Sequence, residues 1–226
     1  MPRPTPARAI EPPALPETLP HSWVEPESFG DQSAFAQALL SEIDLSDSIT
    51  ADVLFDRVLI RRGHFANSQW KLLQLLDVRM DGCDLASARW EKPHIQRAEL
   101  LGCRLLGMTI QDAQCDNLLI QGCNAEAARF WASSFRGTRF EGCSLKAASF
   151  EGSNLGGAVF RGCNMSGCDL RRAKLKGADV RGCDLSGVQI TPVEMKGLIV
   201  TPTQAAELAA LFGLDIQPEE AAAARG

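Results

Sequence analysis

The chain has 226 residues, a formal net charge of −5, 45% hydrophobic residues and 23% charged residues, the usual balance of a globular protein. No run approaches 18 consecutive apolar residues, and the Pro-rich first residues contain no apolar segment, so we expect no transmembrane helix, no secretory signal and a cytoplasmic location. The acidic excess disfavours a strongly basic nucleic-acid-binding protein. Eight cysteines without an export signal argue against a disulfide framework and leave metal binding, catalysis or packing open.

Residues 1–42 divide into two predicted segments. Residues 1–30 contain most of the twelve prolines and a weak apolar pattern, which predicts a flexible or extended arm. Residues 31–42 follow with an amphipathic pattern that predicts a short helix. This helix would cover the start of the next segment with the apolar side chains of Phe35, Leu39 and Leu40.

From residue 43 to residue 190 the sequence repeats with a period of five. Of the 30 positions from 45 to 190 whose numbers are multiples of five, 29 are apolar. The position two before each of these centres is small in 21 cases, and the position two after is Gly in 13. Neither a strand nor a helix has this period. A five-residue unit with one large and one small inward residue suits one side of a coiled solenoid, with Gly supplying positive φ at the corners.

Six cysteines, each preceded by Gly, recur every 20 residues and define a second, longer period. It equals four of the five-residue units, so one coil has four sides, and residues 20 apart stack at about 4.8 Å. We therefore expect Phe130 to lie under Phe150 and Phe140 under Phe160. About seven coils would give a rod roughly 35 Å long. The cysteines of this column are Cys83, Cys103, Cys123, Cys143, Cys163 and Cys183.

Several units resemble the A-(D/N)-L-x-x consensus of the pentapeptide-repeat family. Clear examples are Cys-Asp-Leu-Ala-Ser at 83–87, Ser-Asn-Leu-Gly-Gly at 153–157 and Cys-Asp-Leu-Ser-Gly at 183–187. The resemblance covers about two-thirds of the chain and implies a right-handed quadrilateral β-helix. We accordingly predict an all-β solenoid of about seven coils over residues 43–190, with short α-helical caps at both ends.

The repeat is expected to end at Ile190, and residues 191–216 to form a C-terminal helical cap. Thr201 followed by Pro202 predicts a helix from Pro202 to Phe212, with Gly213 as its stop signal. In the quinolone-resistance members of the family a C-terminal helix also mediates dimers. The resemblance thus implies a possible homodimer, with candidate contacts at Leu208, Leu211 and Phe212. Residues 217–226 are predicted to be a loose tail.

No motif predicts catalysis, a cofactor or a metal. Seven of the eight cysteines occupy the small inward position, which favours buried packing over a metal ladder, because zinc sites group their ligands within a few positions of one another. Cys115 lies at an inward centre, and we interpret it as a core residue. His21, His64 and His94 are far apart in sequence, and no phosphate-binding loop is present. We therefore predict a non-enzymatic protein without cofactors.

The surface remains as the carrier of function. One candidate partner surface consists of outward apolar residues, unless the arm or irregular early coils cover it: Leu101, Leu106, Leu119 and Trp131. A second candidate is a basic group, which a mixed solvated surface would also explain: Arg171, Arg172, Lys174 and Lys176.

Two functions fit these features. We first expect a scaffold or protein-interaction module with an unidentified protein partner. The alternative, implied by the resemblance, is a DNA mimic that binds DNA gyrase or topoisomerase IV and either modulates it or protects it from fluoroquinolones. Mimicry requires a negative rod, whereas residues 43–190 contain 17 acidic and 19 basic residues. A continuous acidic stripe on one side would favour the mimic. We expect neither direct nucleic-acid binding nor membrane binding.

Overall fold

A parallel β-solenoid of about seven turns makes up most of the protein, followed by one short helix. The structure is a computed structural model that describes residues 9–22 and 28–217. Beyond residue 30, every registered strand pair joins residues 20 apart, as in Ile95 with Cys115. The predicted coil of four five-residue sides is therefore confirmed.

Each coil has four sides, which we number by the inward residue at their centre. Side 1 is centred on residues such as Leu85 and Leu105, and isolated bridges link its coils. Side 2 is a five-stranded sheet with the order β13-β11-β9-β7-β4. Its strands are β4 (Ile49–Ala51), β7 (Gln69–Lys71), β9 (Arg89–Glu91), β11 (Thr109–Gln111) and β13 (Arg129–Trp131).

Sides 3 and 4 share a ten-stranded sheet, because its four long strands turn through the corner between them. These long strands are β8 (Gln74–Asp81), β10 (His94–Leu101), β12 (Gln114–Gln121) and β14 (Ser134–Glu141). The short strands are β1 (His21–Ser22), β2 (Ala34–Ala36), β3 (Leu39–Ser41), β5 (Leu54–Asp56), β6 (Leu59–Arg61) and β15 (Val159–Arg161).

The inward columns fill the centre of the rod. Phe130 stacks on Phe150 with ring centroids 4.9 Å apart, and Phe140 stacks on Phe160 at 4.8 Å, so both predicted pairs are confirmed. Trp70 and Trp90 stack at 6.4 Å on side 2. Offset stacking of this kind adds to the burial of apolar area. The core is therefore a continuous column of side chains along the rod axis.

The predicted N-terminal capping helix over residues 31–42 is wrong. This segment forms strands β2 and β3, which begin the solenoid. Phe35 stacks on Phe55 of the next coil at 5.1 Å, and Leu40 is fully buried. The spacing from Phe35 to Leu39 fits a helical face, whereas the spacing from Phe35 to Leu40 fits the repeat, and here the cross-coil pairing decides.

The other end of the rod also departs from prediction. The repeat continues past Ile190, because Ile199 bridges Asp179 of the preceding coil, and Met195 and Val200 pack against the core. Helix α1 then spans Pro202–Ala210, two residues shorter than predicted. The tail from position 218 onwards lies outside the described part of the chain.

Helix α1 closes the last coil. Thr201 is its N-cap: the Gln204 amide N–H donates to the Thr201 hydroxyl at 3.2 Å, and the Thr201 N–H donates to Gln204 Oε1 at 2.9 Å. Gln204 Nε2 donates to the carbonyls of Val180 and Cys183 at 2.8 and 2.9 Å. The helix thereby supplies hydrogen-bond donors to carbonyl groups that, in a longer solenoid, would accept hydrogen bonds from the next coil.

Candidate interaction surfaces

The cysteine column is part of the core. All eight cysteines are free and buried. The Cys143 thiol donates to the carbonyls of Ile120 and Glu141 at 3.2 and 3.5 Å, and four other thiols of the column bond in the same way. Burial raises the pKa of the Cys115 and Cys168 thiols, which keeps them protonated. The predicted packing role is thus confirmed.

The described residues contain no cluster of three His, Cys, Asp or Glu side chains able to hold a metal ion. His64 and His94 lie on sides 1 and 3 respectively, and His21 lies in β1. Helix α1, the one α-helix within residues 9–22 and 28–217, is too short to span a membrane.

Side 2 carries a long shallow depression of about 630 Å³. Two outward columns line it, one running from Ile49 to Arg129 and the other from Ala51 to Trp131. Ile49 is 75% exposed and Trp131 is 36% exposed. The Arg129 guanidinium lies 5.4 Å from the centre of the Trp131 ring, a cation–π distance. An exposed indole beside arginines is a typical anchor for a protein partner.

The four apolar residues predicted as one partner surface lie on three different sides. Leu101 and Leu119 are on side 4 in neighbouring coils, Leu106 is on side 1, and Trp131 is on side 2. The three leucines are half-buried, so Trp131 is the most exposed of the four. The structure therefore does not bring the set together.

Internal pairing neutralises half of the predicted basic group. Arg171 pairs with Asp169 at 2.8 Å, and Arg172 pairs with Glu151. Hydrogen bonds from Arg171 hold the pKa of Asp169 below its usual value of 3.8, so this pair stays charged at neutral pH. Lys174 and Lys176 are exposed on side 3, where they border a depression of about 670 Å³.

No continuous acidic stripe runs along any side within residues 28–217. Side 1 is the most negative side of the rod, and two cations, Arg104 and Lys146, interrupt its acidic residues. One of these cations pairs within the column, since Arg104 contacts Asp84 at 3.0 Å. The outward carboxylates of this side are those of Asp44, Asp47, Asp84, Glu126 and Asp184.

Sequence reasoning missed one surface, the corner between sides 3 and 4. Residues 9–22 are not a free arm, because they run along this corner. The Glu11 N–H donates to Asn117 Oδ1 at 3.4 Å, and the Ala14 N–H donates to Asp77 Oδ1 at 2.8 Å. Strand β1 then pairs with β3 at the end of the sheet. The only sequence signal was the high proline content, which favours extended chain without specifying where it binds.

The acceptor Asp77 is held firmly at this corner. Its carboxylate receives two hydrogen bonds of 2.6 Å from Arg97 of the next coil. The hydrogen bonds from Arg97 lower the pKa of Asp77, with a further contribution from the Ala14 N–H. Although Asp77 occupies a corner position, it is only 6% exposed. The side chain is therefore fixed and ionised as an acceptor for the arm.

An exposed apolar group lies beyond helix α1. Leu211 is 48% exposed and Phe212 is 43% exposed, followed by Leu214 at 62% and Ile216 at 51%. Leu208, by contrast, is 2% exposed and packs on the last coil. Leu208 therefore belongs to the cap, and it is not available for the dimer contact predicted for it.

Comparison with known proteins places the repeat in a family. Residues 123–162 and 148–187 match the family model "Pentapeptide repeats", with eight copies. A comparison with curated proteins gives no match.

Solved pentapeptide-repeat structures are similar at low identity. The full-length plasmid-mediated fluoroquinolone resistance protein QnrB1 is 18% identical over 84% of this chain and 94% of its own, with a TM-score of 0.41. HetL of the cyanobacterium Nostoc sp. strain PCC 7120, involved in heterocyst differentiation regulation, is 19% identical over 75% of this chain and 90% of its own, with a TM-score of 0.32. Residues 123–187 are thus pentapeptide repeats by the family model, and the same five-residue unit continues through the other described coils.

Proposed function

We propose that this protein is a non-enzymatic scaffold that binds a protein partner through side 2. The observation that carries the proposal is Trp131, a large aromatic side chain left 36% exposed beside Arg129 on the sheet of side 2. The inward columns are packed with side chains, so the outside of the rod has to carry the function. We also propose a cytoplasmic location, because eight free cysteines suit a reducing compartment.

The surroundings of Trp131 suggest the chemistry of the partner. Arg89 and Arg129 lie in one outward column of side 2, and Ile49 lies at the opposite end of that column from Arg129. A matching surface would offer carboxylates to the arginines and an apolar contact to the indole. Because side 2 is a regular sheet, it presents these groups without needing to reorganise, which limits the entropy cost of binding.

The test is site-specific cross-linking in cells, followed by affinity measurement. A photo-reactive amino acid at Gln111, on side 2, should capture a defined partner, whereas the same group at exposed Lys146, on side 1, should not. With the purified partner, Trp131→Ala should raise Kd about tenfold or more, because buried Trp anchors dominate interfaces. Lys146→Ala serves as the matched control. Equal capture from both sides, or an unchanged Kd for Trp131→Ala, would contradict the proposal.

The DNA-mimic alternative receives no support from the charges. A mimic needs a continuous negative field to compete for a cationic groove. Side 1, the most negative side described, is interrupted by Arg104 and Lys146. A gyrase supercoiling assay with increasing protein is the direct check. We expect no inhibition and no fluoroquinolone protection, and inhibition at micromolar protein would favour the mimic over the scaffold.

A further inference from the structure

The N-terminal arm crosses the coils instead of following the repeat. It contacts the coil of Asn117 through Glu11 and the coil of Asp77 through Ala14. The Pro20 carbonyl then accepts a hydrogen bond from the Leu39 N–H at 2.9 Å, at the first coil. The arm therefore runs along the rod axis, opposite to the direction in which the coils advance.

The distance between the two hydrogen-bond donors of the arm matches the distance between their two acceptors on the rod. Asp77 and Asn117 stand in one corner column two coils apart, a separation of about 9.6 Å at the strand spacing. Three steps of polyproline II chain, from Glu11 to Ala14, span about 9.3 Å. The residues between them are Pro12 and Pro13, which have no N–H. A segment of the form x-Pro-Pro-x therefore presents its N–H donors only where the column has its acceptors.

The charges along the column also suit this segment. Arg97 lies between the two acceptors, and its ion pair with Asp77 fixes its position. The bond to Asp77 raises the pKa of Arg97, and the nearby carboxylate of Glu11 adds to this effect. An acidic residue before the prolines thus meets a cation. Three features of the arm match the column: two donors, the spacing between them and one carboxylate.

We propose that the corner column formed by Arg57, Asp77, Arg97 and Asn117 is a recognition site for proline-rich segments in the polyproline II conformation. Residues 9–20 occupy this site as an intramolecular competitor. A partner carrying an acidic-Pro-Pro segment gains access by displacing the arm. The surface lies apart from side 2, so failure of this proposal leaves the side 2 proposal standing.

The contacts of the arm indicate that displacement is feasible. Two hydrogen bonds to side chains hold its central part, and each contributes modestly on balance because water competes for both partners. The tether nevertheless gives the arm a local concentration in the millimolar range. A free peptide should therefore bind the intact protein weakly, and it should bind better once the arm is weakened.

The experiment releases the arm without altering the column. Ala14→Pro, in the full chain, removes the N–H that Asp77 accepts and keeps the extended conformation. A fluorescent synthetic peptide of residues 9–20 is the probe. We expect Ala14→Pro to bind it at least about tenfold more tightly than the wild type, by anisotropy. Ala9→Pro is the matched control, since Ala9 is exposed and no described hydrogen bond joins it to the column.

Further variants test the specificity of the site. Adding Asp77→Ala to Ala14→Pro should abolish the gain, whereas adding Asp77→Asn should retain most of it, because the amide keeps an acceptor oxygen. A peptide with both prolines replaced by Ala should bind about tenfold more weakly, because it is no longer held in the extended conformation. Hydrogen exchange of residues 9–20 should quicken in Ala14→Pro while exchange in β10 and β12 stays unchanged.

Three results would overturn the proposal. The first is equal peptide binding by Ala14→Pro and the wild type. The second is equal binding of the proline-free peptide, which would remove the polyproline II requirement. The third is a wild-type dimer that Ala14→Pro dissociates in sedimentation, because the arm would then belong to a second copy of the chain.

Discussion

At the residue scale, the corners of the coils place the strongest requirement on backbone conformation. From Gln32 to Gly187, the residue two after each centre has positive φ, and this column includes nineteen non-glycine residues. Asn and Asp tolerate this conformation, but a residue such as Leu72, at φ 55°, pays a steric cost. Its side chain is also 50% exposed, so it gains little burial in return.

Leu72→Gly should accordingly stabilise the protein. Removing the left-handed strain is worth about 1 kcal/mol, part of which the greater freedom of Gly in the unfolded chain offsets. Thermal unfolding should show a higher Tm. Lys71→Gly, one residue earlier in strand β7, is the control and should lower Tm, since Gly weakens strand interiors. A loss of stability in both variants would contradict the strain argument.

The sequence identified this corner column only in part. Gly at the position two after each centre predicts positive φ, as at Gly82 and Gly142, and the structure confirms it there. The same conformation at Arg97 or Leu72 had no local signal, because tertiary stacking imposes it against residue preference. Asp77 and Asn117 were hidden for the same reason: their role depends on a segment of the chain that is distant in sequence.

At the element scale, the two ends show what local patterns can and cannot decide. Helix α1 was predictable because Thr201, Pro202 and Gln204 form a capping sequence that acts within one turn. Residues 31–42 also have an amphipathic pattern, but they form strands because they pair with β5 and β6. These partners lie 20 residues further along the chain, so the local sequence does not reveal the pairing. Phe35 and Leu40, both at multiples of five, were the available signal that the repeat begins earlier.

Gln204→Met should detach the cap. Met has a similar volume but cannot donate, so the Cys183 carbonyl would lose this donor and the Val180 carbonyl would keep only the Cys183 N–H, at a cost of about 1–3 kcal/mol. Urea unfolding should show this loss. Glu207→Met, on an exposed position of the same helix, should change stability little. If both variants had equal stability, Gln204 would have no role in holding the cap.

At the scale of the whole molecule, the C-terminal end of the rod carries an exposed apolar group. We propose that this group, beyond helix α1, is a contact between two copies of the chain. Its members share the end of the rod, where a second rod can approach along the axis: Leu211, Phe212, Leu214 and Ile216. Burying these side chains in a dimer would remove apolar surface from water.

The dimer has a direct test in solution. The double variant Phe212→Lys and Ile216→Lys should shift the mass measured by light scattering from dimer to monomer, because two charges cannot be buried unpaired. Val193→Lys changes an exposed apolar residue, 80% accessible, outside this group and should remain dimeric. A monomeric wild type would refute the proposal.

Six of the eleven ion pairs among the described residues join side chains in neighbouring coils, 20 residues apart. Arg62 pairs with Glu42, Lys71 with Glu91 and Arg136 with Asp116, and each pair joins residues 20 apart. A duplication or deletion of whole coils would leave every column aligned, whereas a change that is not a multiple of five residues would exchange inward and outward positions. The gene for such a rod can therefore alter the reach of the protein in steps of about 4.8 Å while its cross-section stays the same.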